Sequence, residues 1–208
     1  MQISIQLNSV GKKYINEWIF KNVSFTIDPS QKLVVLGSNG SGKSTLLQTI
    51  ASFLIPTKGE LTWNNGSEKI DDDLIFKHLS MASPYMELVE DFTLEEMVNH
   101  QRTFKPFLHN LSAKEIISLM QLEHASEKYL KNYSSGMRQR VKLGLAILAD
   151  CPVLLLDEPC TNLDARSIEW YKSLISQHAM QKTIMVCSNT VKEEYEFCDT
   201  SIEIEKYK

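Results

Sequence analysis

The sequence predicts an α/β domain built around a mostly parallel sheet, and three observations carry that prediction. Two short runs, Lys32-Leu33-Val34-Val35-Leu36 and Val153-Leu154-Leu155-Leu156, are apolar at consecutive positions rather than alternate ones. Strands buried on both faces read this way, and they belong to parallel sheets covered by helices. Between the two runs, from about Leu94 to Leu148, apolar residues recur three and four apart, which is the helical period.

The elements follow in chain order. Ile3, Ile5 and Leu7, then Val23, Phe25 and Ile27, alternate with other residues as half-buried strands do, and Asp28-Pro29 marks a turn. The Lys32–Leu36 strand leads into a glycine-rich loop, and Ser44 to Phe53 then reads as a helix. Pro56 and Gly59 break the chain before Glu60-Leu61-Thr62-Trp63, a further strand-like piece. Leu111 to Leu122 and Gln139 to Leu148 have helical spacing. A buried strand returns at Val153, followed by a helix at about Arg166 to His178 and a strand at Thr183-Ile184-Met185-Val186. The end of the chain, Glu203-Ile204-Glu205-Lys206-Tyr207-Lys208, reads as a charged tail. With 208 residues and no internal repeat, one domain over 1–208 is expected, with a helical insert at about 85–145.

Composition narrows the class. The chain is 43% hydrophobic and 23% charged, as ordinary globular proteins are. Its apolar runs fall far short of the ~20 residues that a spanning helix needs. The N-terminus has no basic region followed by an apolar stretch, so a cytoplasmic protein is expected. A net charge of −4 argues against broad electrostatic binding of nucleic acid. The four cysteines, Cys151, Cys160, Cys187 and Cys198, have no metal-ligand spacing and read as reduced thiols.

Gly37-Ser38-Asn39-Gly40-Ser41-Gly42-Lys43-Ser44-Thr45 fits G-x-x-x-x-G-K-[ST], the pattern of a phosphate-binding loop. A loop that wraps a polyphosphate needs a tight backbone with its N–H groups turned inward, which glycines permit. The following helix offers free N–H groups and the positive end of its dipole. Lys43 supplies a mobile point charge for the β- and γ-phosphates, and Ser44 a hydroxyl ligand for Mg²⁺. At the end of the second buried strand, Asp157-Glu158-Pro159 places two carboxylates where open α/β sheets bind ligands. Asp157 is suited to the metal side, and Glu158 to polarising the water that attacks a γ-phosphate.

Further segments resemble ATP-binding cassette (ABC) proteins, the ATP-binding subunits of ABC transporters. Ser134-Ser135-Gly136-Met137 resembles the family's signature sequence, with Ser135 and Met137 as variants. Asn162-Leu163-Asp164 resembles its D-loop, and Tyr14 stands at the distance of the aromatic that stacks on adenine. The order of the parts is also the family's order, over essentially the whole chain. The resemblance implies a P-loop NTPase core with a mostly parallel sheet. It also implies an antiparallel β subdomain on the N-terminal side and a helical subdomain inserted before the signature. It implies binding and hydrolysis of MgATP, with ATP held by Tyr14, the 37–45 loop and, in trans, Ser134 to Met137 of a second copy. Ser44 and Asp157 would hold Mg²⁺, Glu158 and Asn189 would act in catalysis, and Asp164 would serve the D-loop. The implied partners are a second cassette, expected as a homodimer, and a separate multi-spanning permease. The chain would then lie peripherally on the cytoplasmic face of the membrane. Blander roles stay open: Tyr14 as a core aromatic with Trp18 as its rival, and Ser134 and Asp164 as helix caps. A soluble non-transport ABC ATPase and a weakly hydrolysing, ATP-gated module also stay open.

Two family positions are filled differently. The stretch Met81-Ala82-Ser83-Pro84-Tyr85-Met86-Glu87 has no Gln where the family's Q-loop carries one. After the last core strand, Asn189 stands where the family has a γ-phosphate-contacting His, and it can donate a hydrogen bond but carry no charge. Losing one such donor costs roughly 100- to 1000-fold in rate in other enzymes, so slow or partner-dependent turnover is expected.

Overall fold

The computed structural model describes residues 1–208. Nine strands form two sheets. The antiparallel sheet has the order β2-β1-β4-β5, from β1 (Ile3–Tyr14), β2 (Glu17–Ile27), β4 (Lys58–Asn65) and β5 (Glu68–Lys69). The second sheet has the order β6-β7-β8-β3-β9, from β3 (Lys32–Leu36), β6 (Leu79–Ala82), β7 (Val153–Asp157), β8 (Thr183–Ser188) and β9 (Thr200–Glu203). Every neighbouring pair in it is parallel.

Consecutive apolar residues arise because this sheet is covered on both faces. Leu33, Val35, Val153, Leu155, Met185 and Cys187 pack toward the antiparallel sheet and α1 (Lys43–Ile50), in a core of 23 buried residues. Their alternates Val34, Leu154, Leu156, Ile184 and Val186 face a core of 30 buried residues shared with the remaining helices. Those are α2 (Leu94–Phe104), α3 (Ala113–Leu119), α4 (Ser135–Leu148) and α5 (Ala165–His178). The first three all lie between β6 and β7.

Several boundaries differ from the sequence expectation for local reasons. The first helix ends at Ile50, not Phe53. Ser52 adopts φ +60°, so that its N–H bonds to Thr49 O and that of Phe53 to Gln48 O. This is a Schellman stop with serine in the left-handed position. The 111–122 pattern yields a helix only over Ala113–Leu119. Ser112 and Glu115 form a capping box at its start, and Gln121 turns to φ +53° beyond its end. The charged tail becomes structured: β9 pairs with β3, and Ile204–Tyr207 forms a 3-10 turn with Ile204 fully buried. No helix is long and apolar enough to cross a membrane.

Register places the chemistry. Leu36 lies beside Ser188, Asp157 beside Cys187, and Ala82 beside Leu156. The residues that follow each strand, Gly37, Glu158, Asn189 and Ser83, therefore emerge from one carboxyl edge of the sheet, where α/β folds bind ligands.

Candidate active site

The loop after β3 has the shape the sequence requires. Gly40 and Gly42 adopt φ +76° and +104°, the left-handed region. At Gly42 a Cβ would also meet Ile19 Cγ2 at 2.6 Å, so glycine is demanded twice. Gly42 is the N-cap of α1 and no side chain caps that helix. The first N–H groups of α1 have no carbonyl within the helix and are free for an anion. Lys43 is 4% exposed and bonds to Gly37 O at 2.9 Å and Ser38 O at 3.1 Å. Its ammonium stands 3.7 Å from Glu158 Oε1.

Asp157 is buried at the end of β7. Its Oδ2 accepts from Ser83 Oγ at 3.2 Å, and its Oδ1 is buried with no partner. Burial pushes its carboxyl up, opposed by the Ser44 and Ser83 hydroxyls; Glu158 adds to the rise and Lys43 counters it. Glu158 follows at φ +45°, a conformation that a non-glycine residue holds only where its surroundings impose it. Asn189 donates from Nδ2 to Asn39 Oδ1 at 3.3 Å, so the turn after β8 reaches the glycine-rich loop.

A cleft of about 370 Å³ at this edge is lined by Ile19, Asn39, Gly40, Gly42, Lys43, Ser44, Thr45, Tyr85 and Glu158, with Asp157 behind Ser44 and Asn189 behind Asn39. The donor set fits a polyphosphate with a hard divalent cation: free amides and an ammonium for the anion, and a hydroxyl near an unsatisfied carboxylate oxygen for the metal. Ser41 Oγ, buried without a partner, adds a second waiting polar atom.

Other predicted residues lie elsewhere. Tyr14 is 47% exposed at the end of the β1–β2 hairpin and does not line the cleft; Ile19 of β2 does. Trp18 packs against Gly11, where a Cβ would meet its ring at 2.9 Å. Ser134 caps α4, accepting from Met137 N at 3.2 Å, and Asp164 caps α5, accepting from Ser167 N at 2.8 Å. Neither Ser134, Ser135, Gly136 nor Met137 lines the cleft of its own chain. Gly136 does approach the 162–164 loop, since a Cβ there would meet Asn162 O at 3.0 Å. Gln139, buried on α4, donates to Pro159 O at 2.8 Å and ties that helix to the loop of the acidic pair.

Sequence reasoning missed two contacts. Tyr85, though exposed, lines the cleft from the turn after β6. Glu205, in the 3-10 turn after β9, accepts from both Ser38 N and Ser38 Oγ at 2.7 Å, and those bonds hold its carboxyl below the usual range. The alternation of Ile202 and Ile204 with Glu203 and Glu205 was the available signal for that last strand.

Fold and cleft together define a phosphate-binding α/β domain of the P-loop class. A model of the ABC transporter family matches residues 20–161, and the chain belongs to that family. The Nod factor export ATP-binding protein I of Rhizobium johnstonii is 29% identical over 202 residues, covering 95% of this chain and 65% of that protein. A spermidine/putrescine import ATP-binding protein of Legionella pneumophila is 32% identical over 188 residues, covering 86% of this chain and 50% of that one. The chain thus spans half to two thirds of the length of these relatives. Two solved structures share the fold. A dimeric bacterial ABC transporter cassette has a TM-score of 0.79 at 24% identity, covering 97% of this chain and 95% of that one. A bacterial Atm1-family ABC exporter with ATP bound has a TM-score of 0.81 at 19% identity, covering 98% of this chain and 37% of that one.

Proposed function

We propose that this chain is the ATP-binding and hydrolysing subunit of an ABC transporter, working as a pair of cassettes on a separate membrane permease. The observation that supports this most directly is one cleft holding the uncapped start of α1, Lys43 and Glu158, with the half-paired Asp157 buried beside Ser44. The names of the relatives, an exporter and an importer subunit, support the transport setting without choosing a direction or a substrate.

Each residue has a task in that reading. The amides of α1 and the Lys43 ammonium hold the β- and γ-phosphates, for which Lys43 exchanges its present bonds to Gly37 O and Ser38 O. Ser44 and Asp157 would hold Mg²⁺, which when bound neutralises charge on the phosphate oxygens. Glu158 orients and polarises the attacking water, and Asn189 donates a neutral hydrogen bond to the γ-phosphate. Ser134, Ser135, Gly136 and Met137 at the exposed start of α4 serve the nucleotide of a second copy, and Asp164 lies in the loop that faces that copy. Tyr14 stacks on adenine beyond the phosphate cleft.

A groove of about 360 Å³ lies between the turn after β6 and α4, lined by Pro84, Met86, Glu87, Leu88, Glu90, Leu130, Arg138 and Lys142. Its mix of apolar and charged side chains suits an amphipathic segment of a permease, which would place the chain on the cytoplasmic face of the membrane.

The test is recovery of the tagged chain from gently solubilised membranes, with ATPase activity measured on what is recovered. A multi-spanning protein at near one-to-one stoichiometry with MgATP turnover is expected. Recovery from the soluble fraction alone, with no membrane partner, would overturn the transport reading.

A further inference from the structure

Glu194 is a buried carboxylate for which the reading above has no use. It closes a 3-10 turn (Lys192–Glu194) after β8 and is 2% exposed. No Lys, Arg or His pairs with it; the nearby ion pairs of Lys172 go to Glu169 and Glu196. Its two oxygens are divided between two loops. Oε1 accepts from the backbone N–H of Cys160 at 3.1 Å, and Oε2 from the Ser188 hydroxyl at 2.5 Å. Its carbonyl oxygen accepts from the Tyr171 hydroxyl of α5 at 2.9 Å. Burial pushes its carboxyl up, the Ser188 and Cys160 bonds oppose that, and the charges of Glu158 and Asp157 add to the rise. A buried acid facing like charges and no cation is a costly way to fill space, and an apolar side chain would cost less.

The two loops it joins are those that carry the chemistry. Cys160 lies two residues after Glu158, and Ser188 immediately precedes Asn189. Each loop also holds a strained residue: Glu158 at φ +45° and Thr190 at φ +89°, the latter β-branched and poorly suited to that region. Such conformations persist where neighbouring contacts over-determine them. The Glu194 bonds fall two residues from each strained position and supply that constraint.

We infer that Glu194 is a positioning residue that locks the Glu158 loop to the Asn189 turn, so that these two side chains keep a fixed separation. The inference rests on the ATPase reading for its kinetic consequence, but the lock itself is a property of the folded chain. The Glu194→Gln amide can still accept from Cys160 N–H and can donate to Ser188 Oγ, so it preserves the lock. Glu194→Ala removes both bonds.

The experiment uses the full chain with its partner, measuring MgATP turnover and nucleotide affinity, with backbone hydrogen exchange on the chain without nucleotide. Glu194→Ala is expected to lower kcat by roughly 10- to 100-fold, in line with the cost of small misplacements, while KM and affinity stay within about threefold. Glu194→Gln should restore kcat to within about threefold of the native chain. Exchange should rise together in 158–162 and 188–191 for the alanine variant. Should that variant fail to fold, Ser188→Ala, which removes the bond to Glu194 Oε2 and a longer one to Val191 O at 3.4 Å, should show the same kcat–KM split at smaller size. Native kcat in the alanine variant, an equal loss of kcat and affinity, or exchange rising in one loop only would overturn the lock. A native chain that binds but never hydrolyses ATP would instead overturn the ATPase reading, leaving the exchange result to decide the lock.

Discussion

Two helix N-termini in this molecule are proposed to meet phosphate, and they are built differently. The start of α1 has glycine at its cap, no side-chain cap, a buried lysine, Glu158 in the same cleft and Asp157 beside Ser44. The start of α4 is exposed, neutral and already capped by Ser134. The first gathers free amides and an ammonium within one chain, as an anion site requires. The second has one of its orphan amides satisfied internally, and no charge of either sign lies among Ser134 to Met137. Its contribution to binding is therefore small until a second body closes over it. On the proposed reading, this difference means that one chain holds nucleotide and a pair hydrolyses it, and substitutions at four positions rank as tests of that division.

The largest effect is expected at Glu158. Removing a general base costs about 10²- to 10⁴-fold in rate, so Glu158→Gln should reduce kcat by that order while nucleotide affinity holds. Its bound pair should accumulate under ATP, visible by size-exclusion chromatography. Turnover within a few-fold of the native chain would show that Glu158 is not the base. Next is Lys43→Ala. Hydrogen bonds to charged groups contribute about 1.5–3 kcal/mol each, so losing the lysine should weaken ATP binding by at least roughly 100-fold in the isolated chain. Titration calorimetry decides this, and unchanged affinity would remove α1 as the primary site.

Ser134→Asp then separates the two helices. Aspartate caps as well as serine, so the melting temperature should hold within a few degrees. The added charge would repel the phosphate of a second copy. Single-chain ATP affinity should stay within about twofold, while ATP-driven association should weaken by roughly tenfold or more. If affinity in the single chain falls as far as association does, α4 belongs to its own chain's cleft and the contrast is wrong.

The sequence was most legible where chemistry is contiguous. The glycine-rich loop and Asp157-Glu158 are single uninterrupted motifs, and the runs before them announce strands buried on two faces. The contacts that brace the surroundings of the cleft come from far apart in the chain. Ser83 reaches Asp157 across 74 residues and Glu205 reaches Ser38 across 167, distances that no local period encodes. Other misses were local and readable. Thr93 with Glu96 and Ser112 with Glu115 form capping boxes that fix where α2 and α3 begin. Ser52, standing in the left-handed position where glycine is common, hid the end of α1.

Glu205 offers the smallest and most local test. Its carboxylate holds Ser38 N and Oγ, and the neighbouring Ile204 packs where a Cβ on Gly37 would meet its Cγ2 at 2.7 Å. The turn after β9 thus braces the start of the glycine-rich loop without lining the cleft. Glu205→Ala should loosen that loop and weaken ATP binding by roughly threefold to tenfold, and leave kcat at saturation nearly unchanged. Glu205→Gln, which keeps an acceptor, should recover most of the loss. Because the Ser38 bonds hold this carboxyl below its usual value of 4.5, the brace is at full strength above that pH. It weakens only as pH falls through the lowered native value, so the affinity difference between native and Glu205→Ala chains should be flat from pH 6 to 8. A difference that changes across that range would mean that another group, not Glu205, carries the effect. Equal affinity in all three chains would show that α1 organises its anion site unaided and would sharpen the contrast with α4.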